Sequence, residues 1–254
     1  MPDLETVLVE EASFDEIPSP VAAGARCQTC DYWERLEGGR EAPDANAPDA
    51  AARASLKRDR LLSGRRLAGS YAMLAYSADA IEHTPVGYAQ FGPISLYPRA
   101  QVIRDRYPGL PESPAPWIIT CLQVPLTVRE ASERDRIGIG LLEAVCAELD
   151  RRGIAAVEAY PEGVAEAWEP SAGPAALYEA AGFEHAAGDD RYPVYRRELA
   201  GAADEGTWGE LLRAGTPADD GGAWPLPLPT TPDAEEFFGR PAEKPKRPNP
   251  FGED

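Results

Sequence analysis

The sequence predicts an α/β protein built on one mixed β-sheet with helices on its faces. Two hairpin-like strand segments come first, and a strand–helix–strand–helix–strand–strand order follows, which is typical of such a sheet. Of the 254 residues, 43% are hydrophobic and 8% are aromatic. These fractions are sufficient for a globular core and exclude a wholly disordered chain.

The N-terminal half supplies a short strand, a helix and a hairpin. A strand is predicted at 6–9, within an N-terminal segment that covers residues 1–21. A stretch with few helix breakers follows and is predicted as a helix. The next two apolar or alternating segments are predicted as strands that pair through a short connection. In order, the helix and the two strands are 52–67, 70–76 and 85–91.

The centre of the predicted sheet is the strand at 117–124, which is β-branched and largely apolar. From Leu141 to Leu149, apolar residues recur at positions i, i+1, i+4, i+5 and i+8, which indicates one face of a helix. Gly153 is a suitable residue to end that helix. The remaining predicted elements are a helix from 140 to 152, a strand at 154–160, a helix at 174–181 and closing strands at 183–185 and 192–195.

Composition changes after Leu199. Residues 200–254 contain nine prolines, repeated Gly and Ala, and scattered acids. Such a segment buries too little apolar surface to offset its ordering entropy. We therefore predict a folded domain over 22–199 and an acidic, Pro-rich disordered tail over 200–254.

The charge balance excludes several classes of partner. Lys and Arg number 25 against 43 Asp and Glu, for a net charge of −18. This surface repels phosphate backbones and anionic lipids, so neither nucleic acid nor a membrane is expected as a partner. It is compatible with cationic, amine-bearing substrates. The chain has no apolar run long enough to span a bilayer and its first residues lack signal-peptide features, so a cytoplasmic location is expected.

Residues 133–142, with the sequence E-R-D-R-I-G-I-G-L-L, join the central strand to the next helix. A glycine-containing turn that opens a helix after a central strand presents backbone N–H groups at the positive end of the helix dipole. We therefore predict an anion site suited to a pyrophosphate, with charge-assisted contacts from Arg134 and Arg136. The alternative is that Gly138 and Gly140 serve only helix packing.

A second segment indicates a family. Residues 174–183, P-A-A-L-Y-E-A-A-G-F, resemble the A-x-x-L-Y-E-x-x-G-F signature of the GNAT family of N-acetyltransferases. The 133–142 segment resembles the R/Q-x-x-G-x-G/A pyrophosphate motif of the same family, and both occur in the family order. The resemblance covers about residues 70–199.

The chain departs from the pyrophosphate motif in either alignment. If Gly138 and Gly140 are the two motif glycines, Asp135 occupies the Arg/Gln position. If Leu141 and Leu142 are aligned instead, Glu133 occupies that position and Arg136 replaces the first glycine. We prefer the second alignment because it preserves the helix phase. Ser171 stands where family members often have Asn, and serine can still cap the following helix.

The resemblance implies that acetyl-CoA is the co-substrate and that a primary amine is the acceptor. It also implies that the fourth strand splays from the fifth and pairs through its backbone with the pantetheine arm. Leu122, Gln123 and Val124 would then line the thioester channel. The other implied cofactor-binding residues are Arg134, Arg136, Ile137, Gly138, Ile139, Gly140, Ser171 and Tyr178.

Two residues are the catalytic candidates. Tyr178 stands where the family often places the general acid that protonates the thiolate; packing under the cofactor is the alternative. Glu158 interrupts an apolar strand and is our first candidate for the base, because a carboxylate there needs a partner; a solvent-facing position is the alternative. Glu34 is the alternative base, and His185 is expected to be an ordinary strand residue.

The four cysteines are too few for a disulfide scaffold. Cys27 and Cys30 form a lone C-x-x-C, which supplies two thiolates where a closed zinc site uses four ligands, so no metal is expected. We expect this segment to form a partly buried helix beside the acceptor.

The sequence thus favours an acetyl-CoA-dependent N-acetyltransferase with an unknown acceptor, and a homodimer is one candidate assembly. The alternatives are an acyl-CoA-binding module without turnover and an interaction protein acting through its tail.

Overall fold

The computed structural model describes residues 4–18, 27–36, 49–65, 69–77, 84–161, 172–190 and 192–200. The chain divides into two units, Met1–Gly209 and Glu210–Asp254. Ser171 and all of the predicted tail beyond Ala200 lie outside the described residues, so the domain boundaries stay predictions. Within the described ranges, no helix is both long and apolar enough to cross a membrane.

Seven strands form one sheet at the centre of the fold. They are β1 (Leu4–Leu8), β2 (Ala72–Ser77), β3 (Pro85–Pro93), β4 (Trp117–Gln123), β5 (Ala156–Ala159), β6 (Glu184–Ala187) and β7 (Val194–Glu198). Their order across the sheet is β1-β2-β3-β4-β5-β7-β6. Neighbouring strands are antiparallel except β4 and β5, which run parallel. The predicted mixed sheet is confirmed.

Four helices cover the two faces of the sheet. They are α1 (Ala50–Leu62), α2 (Pro98–Arg104), α3 (Ala131–Arg151) and α4 (Ala175–Ala180). Residues of α3 and α4 pack on one face. Residues of α1 and α2 pack on the other, together with the segment 27–36. We call these the α3 face and the α1 face. Two hydrophobic cores therefore lie on opposite sides of one sheet.

A bulge in β4 separates that strand from β5. In the β3–β4 ladder Gln90 faces Cys121, but the next β3 residue, Phe91, faces Ile119, so Thr120 is an extra residue on β4. The β4–β5 ladder ends at the pair Ile119↔Ala159. A bulged strand bends and twists at the extra residue, and β5 itself ends at Ala159, so beyond the bulge β4 is paired with β3 and no longer with β5.

The predicted start of the third helix is wrong. The helix begins at Ala131, not at residue 140, so the predicted cofactor-binding run lies inside it; that run comprises Arg134, Arg136, Ile137, Gly138, Ile139 and Gly140. A glycine inside a helix costs only about 1 kcal/mol relative to alanine, and here close packing compensates. A Cβ on Gly140 would lie 2.8 Å from Leu4 Cδ1. Packing, the alternative given above, therefore explains this glycine.

The predicted helix at the C-x-x-C segment is also wrong. Residues 27–36 form successive turns, and they place Cys27, Trp33 and Glu34 against the α1 face. The helix α2 was not predicted, because its seven residues are too few to show a clear apolar period.

Candidate functional site

The stretch of β4 that follows the bulge is the centre of the candidate site. Leu122, Gln123 and Val124 are all buried, so the three predicted channel residues lie where β4 has left β5. Leu122 and Val124 belong to the core of the α3 face. Gly173 approaches Leu122 so closely that a Cβ there would lie 3.2 Å from Leu122 Cδ2. Its φ of +81° is a second reason for glycine at this position.

The N-terminus of α3 differs from the predicted pyrophosphate turn. Arg134 Nη1 donates hydrogen bonds to the carbonyls of Val128 and Arg129, both at 2.9 Å, and so ties the helix to the loop before it. Arg136 is exposed on the next turn. Gly138 is buried and Gly140 is half-buried, so neither presents its backbone at a helix end. Of the two predicted arginines, only Arg136 extends into solvent.

Tyr178 is fully buried in the α3 face. Its hydroxyl donates a hydrogen bond to the carbonyl of Ala172 at 2.5 Å, and its ring packs edge-on against Phe183. Burial, with smaller contributions from Cys121 and Cys146, raises the pKa of Tyr178 well above its usual value. The phenol therefore stays protonated and holds residue 172 beside the opening.

Glu158 is completely buried on β5, which excludes the solvent-facing alternative. Arg196 Nη1 donates to Oε1 at 2.7 Å, and Arg104 Nε and the Tyr160 hydroxyl donate to Oε2 at 3.1 and 2.8 Å. Both carboxylate oxygens are therefore engaged, and the residue joins α2, β5 and β7. This arrangement suits a structural ion cluster better than a base.

A second buried carboxylate lies on the same face. Glu34 Oε1 accepts hydrogen bonds from Lys57 Nζ at 2.7 Å and from Gln90 Nε2 at 3.0 Å, and Arg60 Nη1 lies 3.5 Å away. Within the described part of the chain, Glu34 Oε2 is buried and has no hydrogen-bond partner. Gln90 also contacts the hydroxyls of Tyr88 and Tyr97. We call Glu34, Lys57, Gln90, Tyr88 and Tyr97 the Glu34 cluster.

The partners of both carboxylates were missed in the sequence. Lys57 and Arg104 lie on helices where charged residues are common, and Arg196 lies on a strand that was predicted to end at residue 195. A lysine in a helix gives no sign that its side chain is only 3% exposed. Gln90 could have been recognised as a candidate partner of a buried carboxylate, since it is a polar residue inside an otherwise apolar strand.

Three cysteines lie near the Glu34 cluster, and all four cysteines of the chain are free thiols. Burial, followed by Cys30, raises the pKa of Cys27 to about 12. Burial likewise raises the pKa of Cys30 and of Cys121. These thiols are therefore protonated at neutral pH and weakly nucleophilic.

The remaining polar groups add little to the site. His185 is exposed on the edge strand β6. Among the described residues, no group of three or more His, Cys, Asp or Glu could hold a metal ion. A cavity of about 320 Å³ beside α1 is lined by Asp31, Arg35, Asp49, Ala52, Arg53, Leu56, Lys57 and Arg60.

No known family model matches the sequence, and no curated protein is similar to it. The chain is similar to the solved structure of a Bordetella pertussis protein assigned to the GNAT family of acetyltransferases, at 15% identity and a TM-score of 0.44. That similarity covers 76% of this chain and 95% of the other.

Two further solved structures are similar to this chain. A Desulfovibrio desulfuricans protein, also assigned to the GNAT family, has 15% identity and a TM-score of 0.41, with 77% and 98% of the two chains covered. A Salmonella typhimurium protein described as an acetyltransferase, with its cofactor acetyl-CoA, has 15% identity and a TM-score of 0.42, with 78% and 94% covered. The solved structures that this chain resembles thus include acetyltransferases of the GNAT family.

Proposed function

We propose that the protein transfers an acetyl group from acetyl-CoA to a primary amine. The observation that carries this proposal is the divergence of β4 from β5 after the pair Ile119↔Ala159. A chain with amide groups can lie along an exposed strand edge and pair with its backbone, as an added strand does. The pantetheine arm carries two amides.

In this proposal the two reactants lie on opposite faces of the sheet. The cofactor would lie toward the α3 face, near Leu122 and the first turns of α3, where Arg136 is free to reach a phosphate. The amine would approach the thioester carbonyl from the α1 face. Holding both reactants in one opening supplies the proximity that direct acyl transfer needs.

A second candidate function is acyl-CoA binding without turnover. It is favoured because both predicted catalytic side chains already have hydrogen-bond partners within the protein. Glu158 accepts from three donors, and the Tyr178 hydroxyl donates its proton to a backbone carbonyl. An acetylation assay with a panel of primary amines, in which the released CoA thiol is measured, separates the two candidates. Binding of acetyl-CoA without acetylated product would favour the second.

Acetyl-CoA is expected to stabilise the folded protein. At a concentration of about 100 times Kd, binding to the native state alone adds about 2.7 kcal/mol to the free energy of unfolding. This raises the Tm by several degrees, as measured by thermal unfolding with and without ligand. Adenosine 3′,5′-bisphosphate, which lacks the pantetheine arm, is the control and should give a smaller shift. Equal shifts would contradict the placement of the arm along β4.

The contacts of Tyr178 support a positioning role in preference to the general-acid role that the resemblance implies. Proton transfer from a phenol of raised pKa to a thiolate is unfavourable, and the proton is already donated to Ala172. We expect Tyr178→Phe to lower stability by about 1 kcal/mol, the value of one hydrogen bond, with kcat within about threefold of wild type. A fall in kcat of about 10²–10⁴-fold at unchanged acetyl-CoA affinity would instead establish acid catalysis.

A further inference from the structure

The Glu34 carboxylate binds one ammonium group through Oε1, and its second oxygen has no donor within the described ranges. Oε1 holds Lys57 Nζ at 2.7 Å, which shows that this carboxylate is a site for a primary amine. Its side chain is 0% exposed, and among the residues that the structure describes Oε2 contacts no donor. A buried acceptor without a donor is unfavourable, so a donor from a ligand would be stabilised there.

The position of Glu34 relative to β4 suits an acceptor. Gln90 donates to Glu34 and lies opposite Cys121 in the β3–β4 ladder. Cys121 is the first residue after the bulge at which β4 leaves β5. The carboxylate therefore lies on the α1 face at the level of the opening, across the sheet from Tyr178 and α3.

We propose that Glu34 is the acceptor-binding residue, accepting a hydrogen bond from the substrate amine through Oε2 while Oε1 stays paired with Lys57. The inference rests on the proposed function and names the residue that holds its acceptor. Lys57 stays ionised, because Glu34 raises its pKa despite the opposing effect of burial, so Oε1 remains engaged.

The chemistry of the surroundings indicates the class of amine. Tyr88, Tyr97 and Trp33 are buried on this face, so the surroundings of Glu34 are largely apolar and favour an acceptor with an apolar body. The cavity beside α1 is a poor route for an ammonium, because its lining carries four cationic and two anionic side chains. An apolar primary amine that arrives through the β4 opening fits best.

The acyl transfer balances without another reactant. The neutral amine nitrogen forms a bond to the thioester carbonyl carbon, and the carbon–sulfur bond breaks to release the CoA thiolate. The amine loses one proton in this step, and the thiolate takes up one proton, through solvent.

The test uses the full chain and the double variant Glu34→Gln/Lys57→Met, which removes both buried charges together. The probes are 2-phenylethylamine, cadaverine and spermidine with acetyl-CoA. We expect the KM for the best amine to rise at least tenfold, with a smaller change in kcat. The Kd for acetyl-CoA should stay within twofold of wild type, since the cofactor lies on the other face.

Asp31→Asn is the matched control, because it exchanges an acid for its amide in the same segment. Asp31 pairs with Arg35 and Arg53 at the surface, and its variant should keep the wild-type KM. Glu34→Asp is a second variant that retains the charge, and it should raise the KM of the amine in the same direction.

The outcomes separate this inference from the proposed function. A folded double variant with the wild-type KM would overturn the role of Glu34 and leave the proposed function intact. A wild-type protein that binds acetyl-CoA but acetylates none of the three amines overturns the inference and favours binding without turnover. A wild-type protein that does not bind acetyl-CoA overturns both.

Discussion

Replacing Glu158 with alanine is expected to lower the free energy of unfolding by about 3–5 kcal/mol, because the buried Arg196 and the half-buried Arg104 both lose this carboxylate. Arg196 is only 6% exposed and Arg104 only 18%, so solvent replaces little of the lost contact, and Glu198 alone remains as a carboxylate partner of Arg196. Denaturant unfolding monitored by circular dichroism measures the effect. The variant should lose stability and not a catalytic group, since we assign Glu158 a structural role in the site.

Glu198→Ala is the matched control for this prediction. Glu198 contacts the same arginine, with Arg196 Nε 2.6 Å from Oε1, but its side chain is 58% exposed. An exposed pair of this kind contributes about 0–1 kcal/mol. Comparable losses for the two variants would show that burial does not govern the energy of this cluster.

The second large effect is expected at the Glu34–Lys57 pair. Lys57→Met leaves a fully buried carboxylate, and Glu34→Gln leaves a buried ammonium, so each single variant should lose about 3–5 kcal/mol. The double variant should lose less than the sum of the two, by about 0.5–3 kcal/mol, because no charge is then buried alone. Urea unfolding of the four proteins completes the cycle.

Additive losses would contradict the direct coupling of Glu34 to Lys57. Arg60 is the residue that could replace Lys57 as the partner of Glu34, since its Nη1 lies 3.5 Å from Glu34 Oε1 and its side chain is partly exposed. If it does, Arg60→Ala in the Lys57→Met background should lower the free energy of unfolding further.

The order of strands and helices was readable from the sequence because apolar periodicity records which side of an element faces the core. The ends of α3 show the limit of that signal. Gly153, with a φ of +73°, ends the helix as predicted, since a left-handed residue after a helix favours glycine. Its start was predicted too late, because the apolar period begins only where the helix meets the sheet and residues 132–136 are polar.

The candidate site was less predictable than the fold. Leu122 and Gln123 lie on β4, as the clear apolar pattern of that strand predicted, and their role in a thioester channel stays a prediction. Whether a polar residue is buried depends on partners that are remote in the chain, and no local pattern reports them. Glu158 and Glu34 both appeared as isolated acids, yet the first has donors to both oxygens and the second has one oxygen that no described residue contacts as a donor.

The ion cluster at Glu158 also joins parts of the chain that are far apart in sequence. Arg104 precedes Glu158 by 54 residues, whereas Arg196 follows it by 38. A nascent chain whose β5 has left the ribosome before β7 therefore lacks Arg196, one of the two cationic partners of the buried Glu158 carboxylate.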